Sequence, residues 1–166
     1  MKIRVVHLQE GLHEDHVKGP AADFGIENAE DFKSDIIVDL KIDKRGSDYY
    51  IKMDITSELQ LVCDRCLDPY IFHIAEQTQV LFTPKQAFVE SDAEAVRLIQ
   101  DGQPDIDISA DVREAILLGL PIKAICKEDC KGLCTCGQNL NHAECSCEKD
   151  VVDPRWAALL KLKQSE

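Results

Sequence analysis

The middle of the chain alternates. Ile36, Val38, Leu40 and Ile42 are separated by polar Asp39, Lys41 and Asp43. This period of two puts one face of a strand in a core and the other in water. Lys44-Arg45-Gly46-Ser47-Asp48 predicts a turn. Tyr49, Ile51, Met53 and Ile55 then alternate with Tyr50, Lys52, Asp54 and Thr56, and the same parity runs on through Leu59, Leu61 and Cys63. The pattern predicts a long antiparallel hairpin with Cys63 at the end of its second strand, on the apolar side. After Pro69, the β-formers between Tyr70 and Phe82 predict one long or two short further strands.

The flanks are less regular. Ile3 and Val5 predict a strand over Met1–Leu8, and the acid-rich stretch Gly11–Lys33 predicts loop or a poorly formed helix. Residues 84–111 hold seven acids against Lys85 and Arg97, with Gly102-Gln103-Pro104 as punctuation. They predict a mobile acidic connection, with a short helix around Ala93–Gln100 compatible with the sequence. Val112, Ala115, Ile116 and Gly119 share a helical face, with Ser109 or Asp111 as N-cap and Glu114 completing a capping box. A last helix is predicted from Asp153-Pro154, with Trp156, Leu159, Leu160 and Lys163 on one face. The fold class expected is α+β: an antiparallel β meander or partial barrel with a C-terminal helical and cysteine-rich metal-binding segment. The corresponding organisation is a β domain over 1–83, an acidic linker over 84–109, and a docked region over 110–166. That region holds a helix, the cysteine-rich zinc segment and the C-terminal helix.

Charge narrows the partners. The net charge of −12 over 166 residues opposes a large non-specific nucleic-acid surface, because phosphate selects Lys and Arg. A basic protein partner is the easier expectation, and acidity that only maintains solubility is the plainer one. The first ten residues lack the apolar stretch and cleavage site of a secretory signal, and no apolar run approaches the roughly 18 residues of a membrane span. The expectation is a cytoplasmic chain with reduced thiols.

Cysteine spacing carries the chemistry. Six of the eight cysteines fall in Cys126-x3-Cys130-x3-Cys134-x-Cys136-x8-Cys145-x-Cys147, and the other two form Cys63-x2-Cys66. Zinc takes four thiolates at about 2.3 Å, and short spacers let one turn present two of them. The preferred partition is Cys63, Cys66, Cys126 and Cys130 in one site, and Cys134, Cys136, Cys145 and Cys147 in a second. One or two Zn2+ per chain follow. The last segment has few large aliphatics and needs a metal or bridges to be ordered. Gly132 and Gly137 can take the positive φ that turns around sulfur require. His142 is a substitute ligand for the second site, and otherwise an ordinary exposed imidazole. Four thiolates leave no open position on zinc, so the sites read as structural.

Three functional readings compete. Cys63-Asp64-Arg65-Cys66 has oxidoreductase spacing, and Arg65 would favour a thiolate, but no helix is predicted after it. Asp64, Asp68 and His73 lie near Cys66 in sequence without a spacing that demands catalysis. There is no phosphate-binding glycine loop, nucleophile elbow or helical His-x3-His pair. A non-enzymatic chain without a small-molecule substrate is expected. Lys123, Lys127 and Lys131 recur every four residues. They would make an RNA contact only if that segment were helical, and direct RNA binding is left open.

The run Cys126-Lys-Glu-Asp-Cys130-Lys-Gly-Leu-Cys134-Thr-Cys136-Gly-Gln-Asn-Leu-Asn141, with Cys145-Ser-Cys147 and Asp153-Pro-Arg155, resembles the YceD family. So does Leu61-Val-Cys63-Asp-Arg65-Cys66-Leu67 upstream. The family is described as large ribosomal RNA subunit accumulation proteins. The resemblance implies a cytoplasmic bacterial or organellar factor supporting synthesis, processing or stability of large-subunit ribosomal RNA. Its partner would be a basic ribosomal protein or a pre-ribosomal particle. Some members keep counterparts of Cys63, Cys66 and Cys130, with His in place of Cys126, and lack the later cysteines. Members usually read Gly-Leu-Cys-Pro-x-Cys-Gly, whereas this chain reads Gly-Leu-Cys134-Thr-Cys136-Gly, one residue shorter. The alternative function is a thiol redox or metal-handling protein.

Overall fold

The computed structural model describes residues 1–86 and 95–147. Its strands are β1 (Lys2–Arg4), β2 (Gly11–Gly19), β3 (Ile36–Arg45), β4 (Asp48–Val62), β5 (Pro69–Thr83), β6 (Val96–Leu98) and β7 (Asp105–Asp107). Among the described residues one α-helix, α1 (Ser109–Gly119), follows, and two short 3-10 turns cover Ala21–Phe24 and Ala29–Asp31. The main sheet has the order β2-β3-β4-β5-β6, and β1 pairs with β7 in a second, two-stranded sheet. No helix among the described residues is long and apolar enough to cross a membrane.

The alternation sets the register. Val38, Leu40 and Ile42 stand opposite Ile55, Met53 and Ile51, and all six are fully buried. Each such side chain stabilises the fold by roughly 1.5–3 kcal/mol when removed from water. The intervening positions of β3, Asp39 and Lys41, face solvent. Gly46 opens the two-residue β3–β4 connection at a φ of 61°, where a residue without Cβ is favoured. β5 is a single long strand. Against the inner face pack α1 through Val112 and Ile116, the β1–β7 pair through Ile3 and Ile106, and Phe24.

The main sheet is open, with β2 and β6 at its edges, and its β2–β5 strands form the expected antiparallel meander. Several other expectations are corrected. Gly11–Gly19 is a strand; nearly every position is solvated, so neither period nor composition marked it, and pairing with β3 makes it. Where a linker and a short helix were expected, Val96–Leu98 is a strand parallel to β5 and Asp105–Asp107 pairs with β1. Buried Ile106 and Ile108 carried a period-two signal that the acids around them obscured. The N-terminal strand is shorter than expected, ending at Arg4.

The helix cap also differs. Ile108 is the N-cap residue and makes no side-chain cap bond. Asp107 Oδ1 instead accepts from the Ser109 N–H at 2.9 Å and from its hydroxyl at 2.6 Å. Asp111 is buried inside the first turn and pairs with Arg97 at 2.9 Å, pinning β6 to α1. Burial pushes the Asp111 carboxyl up despite Arg97. Gly119 leaves room for the Glu76 side chain from β5. The helix expected from Asp153 lies outside the described residues.

Candidate metal centres

β4 carries its apolar parity into Cys63, which is fully buried. There the chain turns tightly: the Leu67 N–H donates to the Cys63 carbonyl and the Cys63 N–H to the Asp68 carbonyl, both at 2.9 Å. Leu67 holds a φ of 61°, the one positive φ outside glycine among the described residues. A non-glycine residue in that region costs about 1–2 kcal/mol. The turn presents Cys63 and Cys66 together and launches β5.

A brace brings the second pair to them. The Asp64 N–H donates to the Ala124 carbonyl, and the Ala124 N–H donates to Asp64 Oδ2, each at 2.8 Å. Arg65 donates to the carbonyls of Glu128 and Cys130 at 3.3 and 3.2 Å. Both side chains of the Cys63–Cys66 turn are therefore spent on positioning, a role their sequence positions did not reveal. Tyr70 and Ile125 pack against the resulting cluster.

Cys63, Cys66, Cys126 and Cys130 come together, with all four sulfurs within 4.8 Å of one another. Sγ of Cys63 and Cys130 are 3.9 Å apart, and those of Cys66 and Cys126 are 3.8 Å apart. Four thiolates placed tetrahedrally at the zinc distance stand about 3.8 Å apart; a disulfide would require about 2.05 Å. All eight cysteines are free. The Cys126 N–H points at Cys63 Sγ at 3.4 Å, and Asn141 Nδ2 at Cys130 Sγ at 3.4 Å. Such donors neutralise thiolate charge and orient the ligands.

The second tetrad, Cys134, Cys136, Cys145 and Cys147, meets the same 4.8 Å limit. Here the Cys134 N–H donates to the Gln138 carbonyl at 2.8 Å and the Gly137 N–H to the Cys134 carbonyl at 2.9 Å. Gly137 takes a φ of 88°. This tight turn aims Cys134 and Cys136 at one point although the knuckle is a residue short. Sγ of Cys136 and Cys145 are 3.3 Å apart. Cys136 is exposed and the other three are half-buried.

The electrostatics differ thiol by thiol. Burial would raise Cys63, but the backbone N–H groups of Cys126, Cys66 and Arg65 outweigh it and hold the thiol at about 6. The Asp68 backbone works to lower Cys66; burial and competition from the Cys63, Cys130 and Cys126 thiols override it, to about 12. In the second tetrad the Cys136 N–H, with help from Cys145 and Thr135, brings Cys134 to about 6. Crowding by Cys145, Cys136 and Cys134 drives Cys147 to about 12. Each cluster thus combines thiols drawn toward the thiolate with thiols pushed toward the protonated form. A bound cation would hold all four as thiolates and release protons on binding.

Asp68 ties the two tetrads together. Its Oδ2 accepts from Asn139 Nδ2 at 2.7 Å and contacts His142 Nε2 at 2.8 Å. The His142 hydrogen bond, aided by Asn139, holds the Asp68 carboxyl below the usual carboxylate range. His142 is therefore engaged as a tether and lies outside the four-sulfur cluster. Gly132, at a φ of 73°, lies so close to the Arg65 backbone that an added Cβ would sit 3.1 Å from the Arg65 carbonyl oxygen. Asp64, Asp68 and His73 do not converge on Cys66, since His73 faces Glu58 at 3.4 Å. Lys123, Lys127 and Lys131 are exposed on a non-helical segment, so their spacing by four makes no common face.

No solved structure matches the chain. An uncharacterised protein of Mycobacterium leprae is 32% identical over 127 residues, covering 75% of this chain and 57% of the relative. The protein YlbN of Bacillus subtilis, also uncharacterised, is 33% identical over 116 residues, covering 68% and 64%. A third relative, from Arabidopsis thaliana, is named large ribosomal RNA subunit accumulation protein YCED homolog 1, chloroplastic. It is 39% identical over 61 residues, 36% of this chain and 19% of the relative. The chain spans less than two thirds of the length of each of these relatives. The family described as large ribosomal RNA subunit accumulation protein YceD matches residues 51–163, the stretch that contains both tetrads, and the chain belongs to this family.

Proposed function

We propose that this chain is a non-enzymatic factor supporting synthesis, processing or stability of large-subunit ribosomal RNA, with structural zinc in both tetrads. The observation that carries the reading is the family match over residues 51–163 together with two four-thiol clusters inside it. Relatives from Arabidopsis thaliana and Zea mays carry the ribosomal RNA accumulation name. Zinc suits the donor set: four soft thiolates, sulfur separations close to the tetrahedral value, and no oxygen ligand. Four sulfurs also leave no coordination position for a water or substrate, which supports a scaffold role.

The partner we favour is a basic ribosomal protein or a pre-ribosomal particle, met in the cytoplasm. A zinc ion with four thiolates carries a formal charge of about −2. Two filled sites would add to the chain's −12, so RNA phosphate would be repelled more strongly by the loaded chain.

Two measurements test this. Elemental analysis with native mass spectrometry of chain purified under reducing conditions should give two zinc ions per chain. Depleting the protein from its own cells should lower large-subunit relative to small-subunit ribosomal RNA. An unchanged ratio would remove the ribosomal reading. The second reading, a thiol redox or metal-handling protein, draws on the exposed Cys136 only 3.3 Å from Cys145. Metal-free protein with bridges among Cys134–Cys147 would bring it to the front.

A further inference from the structure

A groove of about 470 Å³ opens between the end of α1, the end of β4 and the second 3-10 turn. Its walls are Phe32, Leu59, Leu61, Ile116, Leu117 and Leu120. Leu117 is 53% exposed there, and Phe32, Leu61 and Leu120 are half-buried. Contiguous apolar surface left open in this way marks a binding site more often than a scattered surface Leu does. One rim carries Glu27 and Asp31, both exposed. Neither carboxylate has an ion-pair partner among the described residues. They belong to the stretch Asp23–Asp35, in which five acids face only Lys33. Arg113 lines the groove and is held near the Gly25 carbonyl, 3.5 Å away; against two free carboxylates it leaves the rim negative.

The backbone around the groove narrows the shape of the occupant. β5 pairs with β4 along its length on one side, and Phe32 bridges Leu59 on the other. A strand laid here finds the main-chain groups of Leu59 already taken. The occupant must satisfy its own backbone, as an α-helix does. A helix fills such a groove with an apolar stripe at i, i+3, i+4 and i+7. Lys or Arg beside that stripe would meet Glu27 and Asp31, whereas acidic residues there would be repelled.

We propose that this groove docks an amphipathic helix of a basic partner protein, with its apolar stripe against Leu61 and Leu117 and its Lys and Arg toward Glu27 and Asp31. Calling that partner a ribosomal protein rests on the function proposed above; the docking of a cationic helix does not. Leu59 and Leu61 share the apolar parity of β4 with Cys63 (each buried or half-buried). The first tetrad therefore anchors the strand that forms one wall of the docking site.

The probe is a fluorescently labelled peptide of about 18 residues, long enough to form a helix, with Leu at the stripe positions and Lys elsewhere. Its anisotropy is titrated with full-length protein purified under reducing conditions, beside a scrambled peptide of the same composition. The patterned peptide should bind at least about tenfold more tightly than the scrambled one, and less tightly as salt rises. Leu117→Lys should weaken the patterned peptide by about tenfold or more, with metal content and far-UV circular dichroism unchanged. Leu118→Lys is the control: this neighbour is 79% exposed and outside the groove, and its substitution should leave binding within about twofold of the original. If Leu117→Lys does not fold, Glu27→Lys should weaken binding at low salt and flatten its salt dependence. Equal binding of the two peptides, or none of either, would overturn the proposal. So would patterned binding indifferent to both Leu117→Lys and Glu27→Lys. Self-association of the chain that Leu117→Lys abolishes would assign the groove to a second copy and also overturn it. These results concern the docking site itself, whereas an unchanged ribosomal RNA ratio on depletion would remove only the ribosomal identity of the partner.

Discussion

Each tetrad has four thiols of its own with sulfurs within 4.8 Å of one another, yet the two are built differently. The first joins positions more than sixty residues apart in sequence, and three of its thiols are buried. It grows from the end of a core strand and is braced by Asp64 and Arg65. The second is local, drawn from Cys134–Cys147, and none of its thiols is buried. It depends on turns and on the Asp68 tether rather than on a hydrophobic core. Equal chemistry therefore does not mean equal structural weight: one site closes the fold, and the other shapes an appendage.

The sharpest way to break this comparison is Cys63→Ser. It should cost the whole chain more than about 4 kcal/mol, because it removes a ligand from the long-range site and leaves buried thiols uncompensated. Urea denaturation and metal content would read this together. A loss no larger than that from a ligand of the second site would make the two sites equivalent.

Asp48 separates loss of the sheet from loss of metal. Burial raises its carboxyl, but Lys85 at 2.6 Å and Thr83 at 2.7 Å bring it below the usual range. Asp48→Asn should cost roughly 1.5–3 kcal/mol at neutral pH with zinc content unchanged. The folded carboxyl is the stronger acid, so its contribution is complete above the unfolded value near 3.9 and is lost as pH falls through the lower folded value. The gap between unsubstituted and Asp48→Asn chains in denaturant midpoint should close below about pH 4.

Gly132→Ala probes the joint between the tetrads. Positive φ and the nearby Arg65 carbonyl predict a loss of about 1–2 kcal/mol. Faster alkylation of Cys134–Cys147 should accompany it, with the first tetrad protected. Cys145→Ser should have the smallest effect on global stability, under about 1 kcal/mol, while one zinc ion is lost. Thermal denaturation with native mass spectrometry checks both halves of that statement.

What was legible in the sequence follows this division. The hairpin β3–β4, its register and the arrival of Cys63 on the buried face all follow from alternation, because half-buried strands impose it. The grouping of the cysteines was legible from spacing and count, and the positive φ at Gly132 and Gly137 from the needs of tight turns. The roles of Asp64, Asp68 and Arg65 were not, since each acts on a partner some sixty or more residues away and no local pattern encodes that. β2 escaped for the related reason that an edge strand solvated on both sides has no apolar period. Asp111 looked like a cap because caps and buried ion pairs use the same residue type; only the position of Arg97 across the fold distinguishes them.

The span enclosed by Cys66 and Cys126 bears on how the molecule matures. The β3–β4–β5 meander has local connections and can form early. Closing a loop of about sixty residues carries an entropic cost of several kcal/mol that grows only slowly with length, and the proposed zinc would offset it last. Closure would then be linked to the free metal concentration, each tenfold fall near saturation weakening it by about 1.4 kcal/mol. On the zinc reading, the supply of the ion would set how much newly made chain reaches its finished form.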